Sequence, residues 1–330
     1  MDFNASSNGT VAVDHSSSDL ILMTTLFRDP PAARYSAFAA LLLVYAFTVA
    51  ANATLGLVIC LEANLHRPMY VLMALLALTD VLETTNALPR IMANLVASNL
   101  IPMPECVAQM FFYHITIRVQ SFILTAMSVD RYVAIVHPLR YHSIMSNALV
   151  LKVFLASVAL AGLPVFGYVA VVVRLNYCRL KVTSSPNCEI LMLGNLSCSD
   201  PYPSIIFTYI NIISGIILPL FVVVLMYLLI LLECRKPRLR EGKGKAMHTC
   251  VTHICVIVVF FSSILFTFVS GLKVHASIPG DLRFLQTLQY ILPPVLNPVV
   301  YGLRTAEIRR TLATRLVGRV VPGESKMLRS

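Results

Sequence analysis

Apolar stretches of about 20 residues recur along this chain, and they constrain its fold more than any other feature. A helix of about 20 residues spans a hydrocarbon core of roughly 30 Å. Only 13% of the residues are charged, against about 25% in soluble domains, and the mean hydropathy is +0.77. The sequence therefore predicts an integral membrane protein.

Seven such stretches occur, and each is predicted to form a helix. Strands of a membrane barrel would be about 10 residues long and would alternate in polarity, whereas these stretches are longer and continuously apolar. Prolines inside them are compatible with helices, because neighbouring helices satisfy the carbonyls that proline leaves free. The predicted fold class is therefore all-α, a seven-transmembrane helix bundle. The predicted spans are residues 37–61, 69–96, 106–136, 149–173, 203–232, 247–270 and 282–301.

Basic residues are concentrated in two segments, which follow the fifth and the seventh span. These segments are ECRKPRLREGKGK and LRTAEIRRTLATRLVGR. Loops rich in Lys and Arg stay in the cytoplasm, so both segments are predicted to be cytoplasmic and the N-terminus extracellular. The predicted localisation is the plasma membrane, as a multi-pass protein. The net charge of +10 then reflects topology and contact with anionic membrane lipids. Nucleic-acid binding is not indicated, because the basic residues flank spans and form no recognition module.

The chain divides into three predicted parts. Residues 1–34 form an extracellular tail that lacks the features of a signal peptide and is expected to be disordered. Sequons at Asn4 and Asn8 predict that this tail is glycosylated. Residues 35–303 form the bundle, and residues 304–330 form a cytoplasmic tail.

Four cysteines fall on the predicted extracellular side: Cys106, Cys178, Cys188 and Cys198. Because the cell exterior is oxidising, these cysteines are predicted to form disulfides. Four cysteines allow three pairings, and their spacing does not choose among them. Zinc binding is disfavoured, because the short Cys-x-x-Cys spacing is absent.

The third span runs from Cys106 to the charged pair Asp130–Arg131, and its length indicates where that pair lies in the membrane. Cys106 and Arg131 are 25 residues apart, which corresponds to roughly 37 Å of helix. With Cys106 at the outer surface, the Asp130–Arg131 pair ends the span at the inner interface. A charged pair there is either functional or a simple anchor for the helix end.

Arg118 lies in the middle of the same span, about 18 Å from Cys106 along the helix. A charge near the bilayer centre costs at least ~2.5–3.5 kcal/mol and marks a candidate functional site. His114, Arg118, Ser121 and Thr125 share one helix face, which is predicted to point into the bundle. Arg118 is then either paired with Glu83 on the second span or an anchor for an anionic or strongly polar ligand group.

Four motifs occur in order along the chain: LHRPMYVLMALLALTD, MSVDRYVAIVHPLRY, KAMHTCVTHICVIVVFF and LPPVLNPVVYGLRTAEIR. As a set they resemble those of the odorant (olfactory) receptors, a branch of the rhodopsin-like (class A) G-protein-coupled receptors. The resemblance covers roughly residues 35–315 and includes the extracellular loop with three cysteines. It implies that a short amphipathic eighth helix follows the seventh span. The absence of Trp excludes the Trp-Pro element that amine and peptide receptors carry on the sixth helix.

The resemblance implies roles for particular residues. Cys106 is expected to pair with Cys188, and Cys178 with Cys198. Asp130, Arg131 and Tyr132 are expected to couple to the G protein, with Asn297, Pro298 and Tyr301 moving on activation. Asn52, Asp80 and Asn297 are expected to form a polar core network. Gln120 stands where many odorant receptors have a carboxylate, which leaves Asp80 as the only carboxylate expected in this network.

The implied function is that of an odorant receptor, which binds a small odorant and activates a stimulatory (olfactory-type) heterotrimeric G protein to raise cAMP. The expected ligand contacts are His114, Arg118, Ser121, Asn211, Phe266, Ser270 and Gln289, with Lys273 and Arg283 at the rim. One alternative is a rhodopsin-like receptor for a non-odorant metabolite or peptide. A transporter is disfavoured because no internal repeat is found. An enzyme is not expected, because the sequence has no nucleophile, cofactor or metal motif.

Overall fold

The computed structural model describes residues 20–23, 31–177, 182–183, 187–188, 193–194, 196–200, 202–235, 243–272 and 286–320. Eight helices organise this part of the chain. They are α1 Pro31–Leu61, α2 Pro68–Val96, α3 Met103–Val136, α4 Asn147–Val172, α5 Tyr202–Cys234, α6 Lys243–Leu272, α7 Leu292–Arg304 and α8 Ala306–Val320. Short helical turns at Ala63–Leu65, Pro138–Arg140 and Tyr141–Ile144 connect them.

Within the described residues, α1 to α6 each contain a stretch long and apolar enough to cross a membrane. The helix α7 has 13 residues, about 20 Å of helix, and residues 273–285 before it lie outside the described part of the chain. It packs against α1, α2 and α6. The molecule is a seven-transmembrane helix bundle followed by α8, as the sequence predicts.

The surface and interior of the bundle have the polarity that a bilayer requires. Apolar side chains such as Leu43, Leu163 and Phe221 are 63–72% exposed on the outside. Asp80, Gln120 and many other polar side chains are fully buried. Lipid thus replaces water as the solvent of the outer surface, and polar groups find partners inside the bundle.

Local sequence fixes several helix ends. Helix α2 begins with Pro68, which suits the first helical position because proline has no N–H to satisfy. The Ser146 hydroxyl caps α4 by accepting a hydrogen bond from the Leu149 N–H at 3.2 Å. Helix α3 contacts α2, α4, α5 and α6 and is the central element of the bundle.

Helix α5 contains a turn of π-helix at Ile213–Ile217. Pro219 lacks the N–H that a regular α-helix would direct at the carbonyl of Gly215, so the α-helical pattern cannot continue through this point. The π turn separates an upper segment, Tyr202–Ile212, from a lower segment, Leu218–Cys234.

A small sheet closes one end of the bundle. The strands are β1 Leu20–Met23, β2 Leu100–Pro102 and β3 Val182–Thr183, in the order β2-β1-β3. Strand β1 is antiparallel to β2 and parallel to β3. Ile21 is fully buried in a cluster with Ile101, Cys106 and Cys188. We call this the disulfide end, and the opposite end, with Asp130 and Arg131, the Asp-Arg end.

The sheet differs from the expectation that residues 1–34 are disordered. Residues 20–23 form β1 because the apolar run LILM gains a buried partner surface, and residues 31–34 already belong to α1. The glycosylation sequons at Asn4 and Asn8 lie outside the described residues, as do residues 321–330.

Candidate functional site

A cavity lies among α3, α5 and α6. It measures about 80 Å³ as the space open to the centres of water molecules. Side chains from three helices line it: Tyr113, His114, Ile117, Arg118, Thr208, Asn211, Ile212, Ile216, Ile264, Thr267 and Phe268. The cavity therefore combines a few polar groups with a mainly aliphatic wall, the usual composition of a small-molecule site.

Among the described residues that line the cavity, Arg118 is the one with a permanent charge, and it is 2% exposed. Its Nη1 donates to the Asn211 carbonyl at 2.7 Å, with the Asn211 Oδ1 at 3.4 Å. Its Nη2 donates to the Ser214 hydroxyl at 3.1 Å and to the Leu160 carbonyl at 3.4 Å. The guanidinium is thus held against α4 and α5 by neutral oxygens.

Gly215, which lies in the π turn of α5, leaves room for this arginine. A Cβ added at Gly215 would lie 2.6 Å from the Arg118 Nη1 and 2.8 Å from its Cγ. Real Cβ atoms do not approach so closely, so glycine is required for the arginine to pack across α5.

Of the two alternatives for Arg118, the structure does not show the pairing with Glu83. No described carboxylate lies within salt-bridge distance of Arg118. Glu83 is buried beside Asp80 and interacts with the Gln120 amide. Glu83 lies three residues after Asp80 on α2, on the same helix face, and this face points at the polar core rather than at the cavity.

The polar core network joins α2, α3 and α7 through Asp80. One Asp80 oxygen accepts from the Gln120 amide at 3.0 Å, and the other accepts from the Asn297 amide at 2.9 Å. Asn52 instead donates to the carbonyls of Pro294, at 2.8 Å, and Thr48, at 3.0 Å. The expectation that Asp80 is the only carboxylate in this network is wrong, because Glu83 adjoins it.

The other expected ligand contacts divide between the cavity and its surroundings. His114 and Asn211 line the cavity beside Arg118. Gln289 is buried and accepts a hydrogen bond from the Tyr113 hydroxyl at 3.2 Å, so it supports a lining residue without lining the cavity. Ser121 is fully buried one turn away, and its hydroxyl has no partner among the described residues.

The sixth helix presents different residues from those predicted. Phe266 is 42% exposed on the outer surface of the bundle, while its neighbours Thr267 and Phe268 line the cavity. Adjacent residues on a helix are rotated by about 100°, so a small error in the predicted helix face moves Phe266 outside. The side chain of Ser270, together with Lys273 and Arg283, lies outside the described residues.

The disulfide between Cys106 and Cys188 is present, with a Cα–Cα distance of 5.4 Å. It ties the first turn of α3 to the loop after α4, as the resemblance implies. Cys198 is also disulfide-bonded, and its expected partner Cys178 lies outside the described residues.

At the Asp-Arg end, Asp130 is fully buried and binds two partners. Arg131 Nη2 donates to its Oδ2 at 3.0 Å, and the Tyr141 hydroxyl donates to its Oδ1 at 2.7 Å. Burial and the hydrogen bond to Asp130 raise the pKa of Tyr141 above its usual value, so this hydroxyl stays protonated and remains a donor. Tyr132 is half-buried and packs edge-on against His137.

A second contact closes the same end between α5 and α6. The Tyr227 hydroxyl and the His253 Nδ1 are 2.6 Å apart, and both side chains are buried. Tyr301 of α7 is buried close by, and its hydroxyl has no hydrogen-bond partner among the described residues. Pro298 is buried inside α7. A polar side-chain contact therefore joins α5 to α6 here, next to Tyr301 of α7.

Helix α8 is fastened to the beginning of α2. Glu307 Oε1 lies 3.6 Å from the Arg67 Nη1, and the Tyr70 hydroxyl donates to the Glu307 carboxylate. Sequence reasoning did not single out these residues, nor Tyr141, Tyr227 or His253, and it named Glu83 only as a possible partner of Arg118. Glu83 had a usable signal in its spacing from Asp80, and His253 and Tyr141 lie inside two of the quoted motifs.

Arg118 at the cavity and Asp130 at the Asp-Arg end are 12 residues apart on α3, which corresponds to about 18 Å along the helix. A seven-helix membrane bundle with this layout has the architecture of a G-protein-coupled receptor. A family model for olfactory receptors matches residues 41–319.

Curated relatives agree with this match. Human olfactory receptor 52B6 is 33% identical over 268 residues, which is 81% of this chain and 80% of that protein. Human olfactory receptor 8D1 is 31% identical over 84% of this chain and 89% of its own length. Mouse olfactory receptor 8C8 is 32% identical over 88% of this chain and 92% of its own length. The chain belongs to the olfactory receptor family, whose members are membrane receptors and not enzymes.

Proposed function

We propose that this receptor binds a small odorant in the cavity among α3, α5 and α6 and activates a stimulatory, olfactory-type G protein that raises cAMP. The observation that carries the proposal is the meeting of His114, Arg118 and Asn211 around one cavity. These residues come from two helices and give an otherwise aliphatic pocket its polar recognition groups.

The proposed orientation places the disulfide end outside the cell and the Asp-Arg end in the cytoplasm. The basic segments after α5 and α7 support it, because Lys-rich and Arg-rich loops remain cytoplasmic. A disulfide at the opposite end also fits an oxidising exterior. The odorant therefore binds in the outer half of the bundle.

Activation is proposed as a shift between two states of the bundle. An odorant that contacts α3, α5 and α6 more favourably in one state shifts the equilibrium toward that state. In the state described here, the Tyr227–His253 contact joins α5 to α6 at the Asp-Arg end, and Asp130 holds Arg131 along α3. Separation of α5 from α6 and release of Arg131 from Asp130 would expose Arg131 and Tyr132 to the G-protein α subunit, while Asn297, Pro298 and Tyr301 are the residues of α7 that are proposed to move.

A receptor for a non-odorant metabolite is the alternative from the same class. The size of the cavity, about 80 Å³, disfavours a peptide ligand, because about 10–15 Å³ of such space already corresponds to one water molecule. The identity of the active compounds separates a volatile odorant from a non-volatile metabolite.

The test is a cAMP assay in cells that express the receptor with an olfactory-type stimulatory α subunit. The panel contains carboxylic acids, amines, amino acids and neutral volatiles. At least one small compound is expected to raise cAMP in receptor-expressing cells and not in cells without the receptor. A receptor that reaches the surface yet changes cAMP with no compound, and whose basal cAMP equals that of empty cells, would contradict the proposal.

A further inference from the structure

We infer that the ligand of this cavity carries a carboxylate, which the guanidinium of Arg118 binds. The inference rests on the proposed function and adds the chemical class of the ligand. Arg118 is charged, whereas its described hydrogen-bond partners are neutral.

The described partners of Arg118 satisfy its hydrogen bonds without neutralising its charge. They are the carbonyls of Asn211 and Leu160 and the hydroxyl of Ser214, with the Asn211 amide oxygen more distant. No carboxylate among the described residues lies within 4.0 Å of it. A buried charge without a counter-charge is costly in a membrane interior. An anionic ligand supplies the missing charge.

Two donors at the cavity are available to such a ligand. The Arg118 Nε is buried and has no hydrogen-bond partner among the described residues, and the same holds for the His114 Nε2. A carboxylate accepts two parallel bonds from one edge of a guanidinium. The edge formed by Nε and Nη2 suits this, because Nη1 makes the shortest contact of the guanidinium, at 2.7 Å, whereas the Nη2 contacts measure 3.1 and 3.4 Å. His114 contributes a third donor in the tautomer protonated at Nε2.

The remaining walls define the rest of the ligand. Ile117, Ile212, Ile216, Ile264 and Phe268 line the cavity opposite the polar groups. A volume of about 80 Å³ corresponds to roughly five to eight water-sized positions. These features suit a short alkyl chain attached to the carboxylate.

Other ligand charges fit less well. An amine would place a second positive charge beside Arg118. An amino acid would bring an ammonium group into a cavity with no carboxylate among its described lining residues. A neutral ligand would leave the charge of Arg118 as it is. A short monocarboxylate is therefore the chemical class that complements this site.

The first experiment needs no variant of the protein. Straight-chain carboxylates of three to eight carbons are compared with the amide and the primary alcohol of the same length, by cAMP response in intact cells. At least one carboxylate is expected to be active at a concentration roughly 10- to 100-fold below its amide and alcohol, because charge-assisted hydrogen bonds are worth about 1.5–3 kcal/mol. Activity that is equal or stronger for the amides, alcohols or amines would overturn the inference and leave the proposed receptor function standing.

The second experiment compares Arg118→Gln with Arg118→Lys. Glutamine keeps an N–H donor for the Asn211 carbonyl but removes the charge, whereas lysine keeps the charge and loses the two-pronged geometry. The carboxylate response is expected to fall at least tenfold in Arg118→Gln and to be partly retained in Arg118→Lys, with surface expression measured on intact cells. An unchanged carboxylate potency in Arg118→Gln would overturn the inference.

Direct binding separates this inference from the proposed signalling. The purified full-length receptor in lipid nanodiscs is expected to show a higher Tm with a short carboxylate and no shift with its amide at equal concentration. A carboxylate-specific shift without any cAMP response would support the ligand class and contradict the proposed G protein. No carboxylate shift, together with a cAMP response to neutral compounds, would contradict the ligand class alone.

Discussion

Two arginines on one helix have opposite surroundings. Arg131 lies beside Asp130, which supplies a carboxylate at 3.0 Å. Arg118, 13 residues earlier, has carbonyl, amide and hydroxyl oxygens as its described partners. The chain itself provides the counter-charge for one guanidinium and leaves the other without one among the described residues.

This difference supports different proposed roles for the two arginines, one in contact with the G protein and one in ligand binding. Arg131 is paired with its neighbour on α3, and in the proposed mechanism this charge is exchanged for a contact with the G protein. A charge with neutral partners gains most from a small molecule that brings the opposite charge. Each of the following predictions removes or perturbs one side of this contrast.

The largest expected effect is that of Arg131→Ala. We expect it to abolish the ligand-stimulated rise in cAMP, because the proposed contact with the G protein is lost, while ligand binding at the cavity persists. Binding is followed by the ligand-induced Tm shift of the purified receptor. Arg140→Ala is the control, since Arg140 is an exposed arginine close to the same end. Loss of the Tm shift in Arg131→Ala would show that the two arginines are not independent.

Asp130→Asn is expected to raise the basal cAMP level. The substitution removes the charge that holds Arg131, and a charge-assisted bond contributes about 1.5–3 kcal/mol, which corresponds to roughly a tenfold or larger shift toward the active state. Basal cAMP per receptor at the cell surface is the measurement. A basal level equal to that of the wild type would mean that the pair does not restrain the inactive state.

Gly215→Ala tests the other arginine. The added Cβ would lie 2.8 Å from the Arg118 Cγ, so the guanidinium must shift, and we expect about a tenfold loss of ligand potency. Gly56→Ala is the matched control, because nothing lies within 4 Å of a Cβ at that position and both changes raise helix propensity by about 1 kcal/mol. Equal potencies in the two variants would show that the close packing at Gly215 is not needed for ligand recognition.

The smallest expected effect is that of Tyr141→Phe. It removes one neutral hydroxyl donor to Asp130 and leaves the Arg131 contact, so basal cAMP should rise only about two- to tenfold for a bond of about 0.5–1.5 kcal/mol. Since the pKa of Tyr141 is raised, the stabilisation from its protonated form is fully present below the ordinary tyrosine pKa of about 10 and is lost only as the pH rises above it. The ratio of Tyr141→Phe to wild-type basal cAMP should therefore stay constant from pH 6 to 9.

Much of the architecture was predictable because membrane helices are long and distinctive. Arg118, His114 and Asn211 were also placed correctly, since charged and polar groups within a span must face the interior. The Cys106–Cys188 disulfide followed from the resemblance and not from the cysteine spacing. Each of these features depends either on a strong local constraint on the sequence or on a recognisable motif.

The errors arise where several helix faces were equally plausible. Phe266 has apolar or weakly polar neighbours on every side of α6, so no strong polarity marked the face that points inward. Glu83 was considered as one alternative partner for Arg118, although the depth and rotation of α2 place it at Asp80. Strand β1 was missed because its stability comes from partners about 80 and 160 residues away, and four apolar residues carry no such information.

The π turn at Ile213–Ile217 makes α5 two helical rods that share a joint. Thr208 and Asn211 on the upper rod line the cavity, and Tyr227 on the lower rod contacts His253. Deleting one residue from the turn would rewind the joint and rotate one rod by about 100° against the other. The cavity residues of the upper rod and the His253 contact of the lower rod would then face incompatible directions, so the length of this short segment matters as much as its composition.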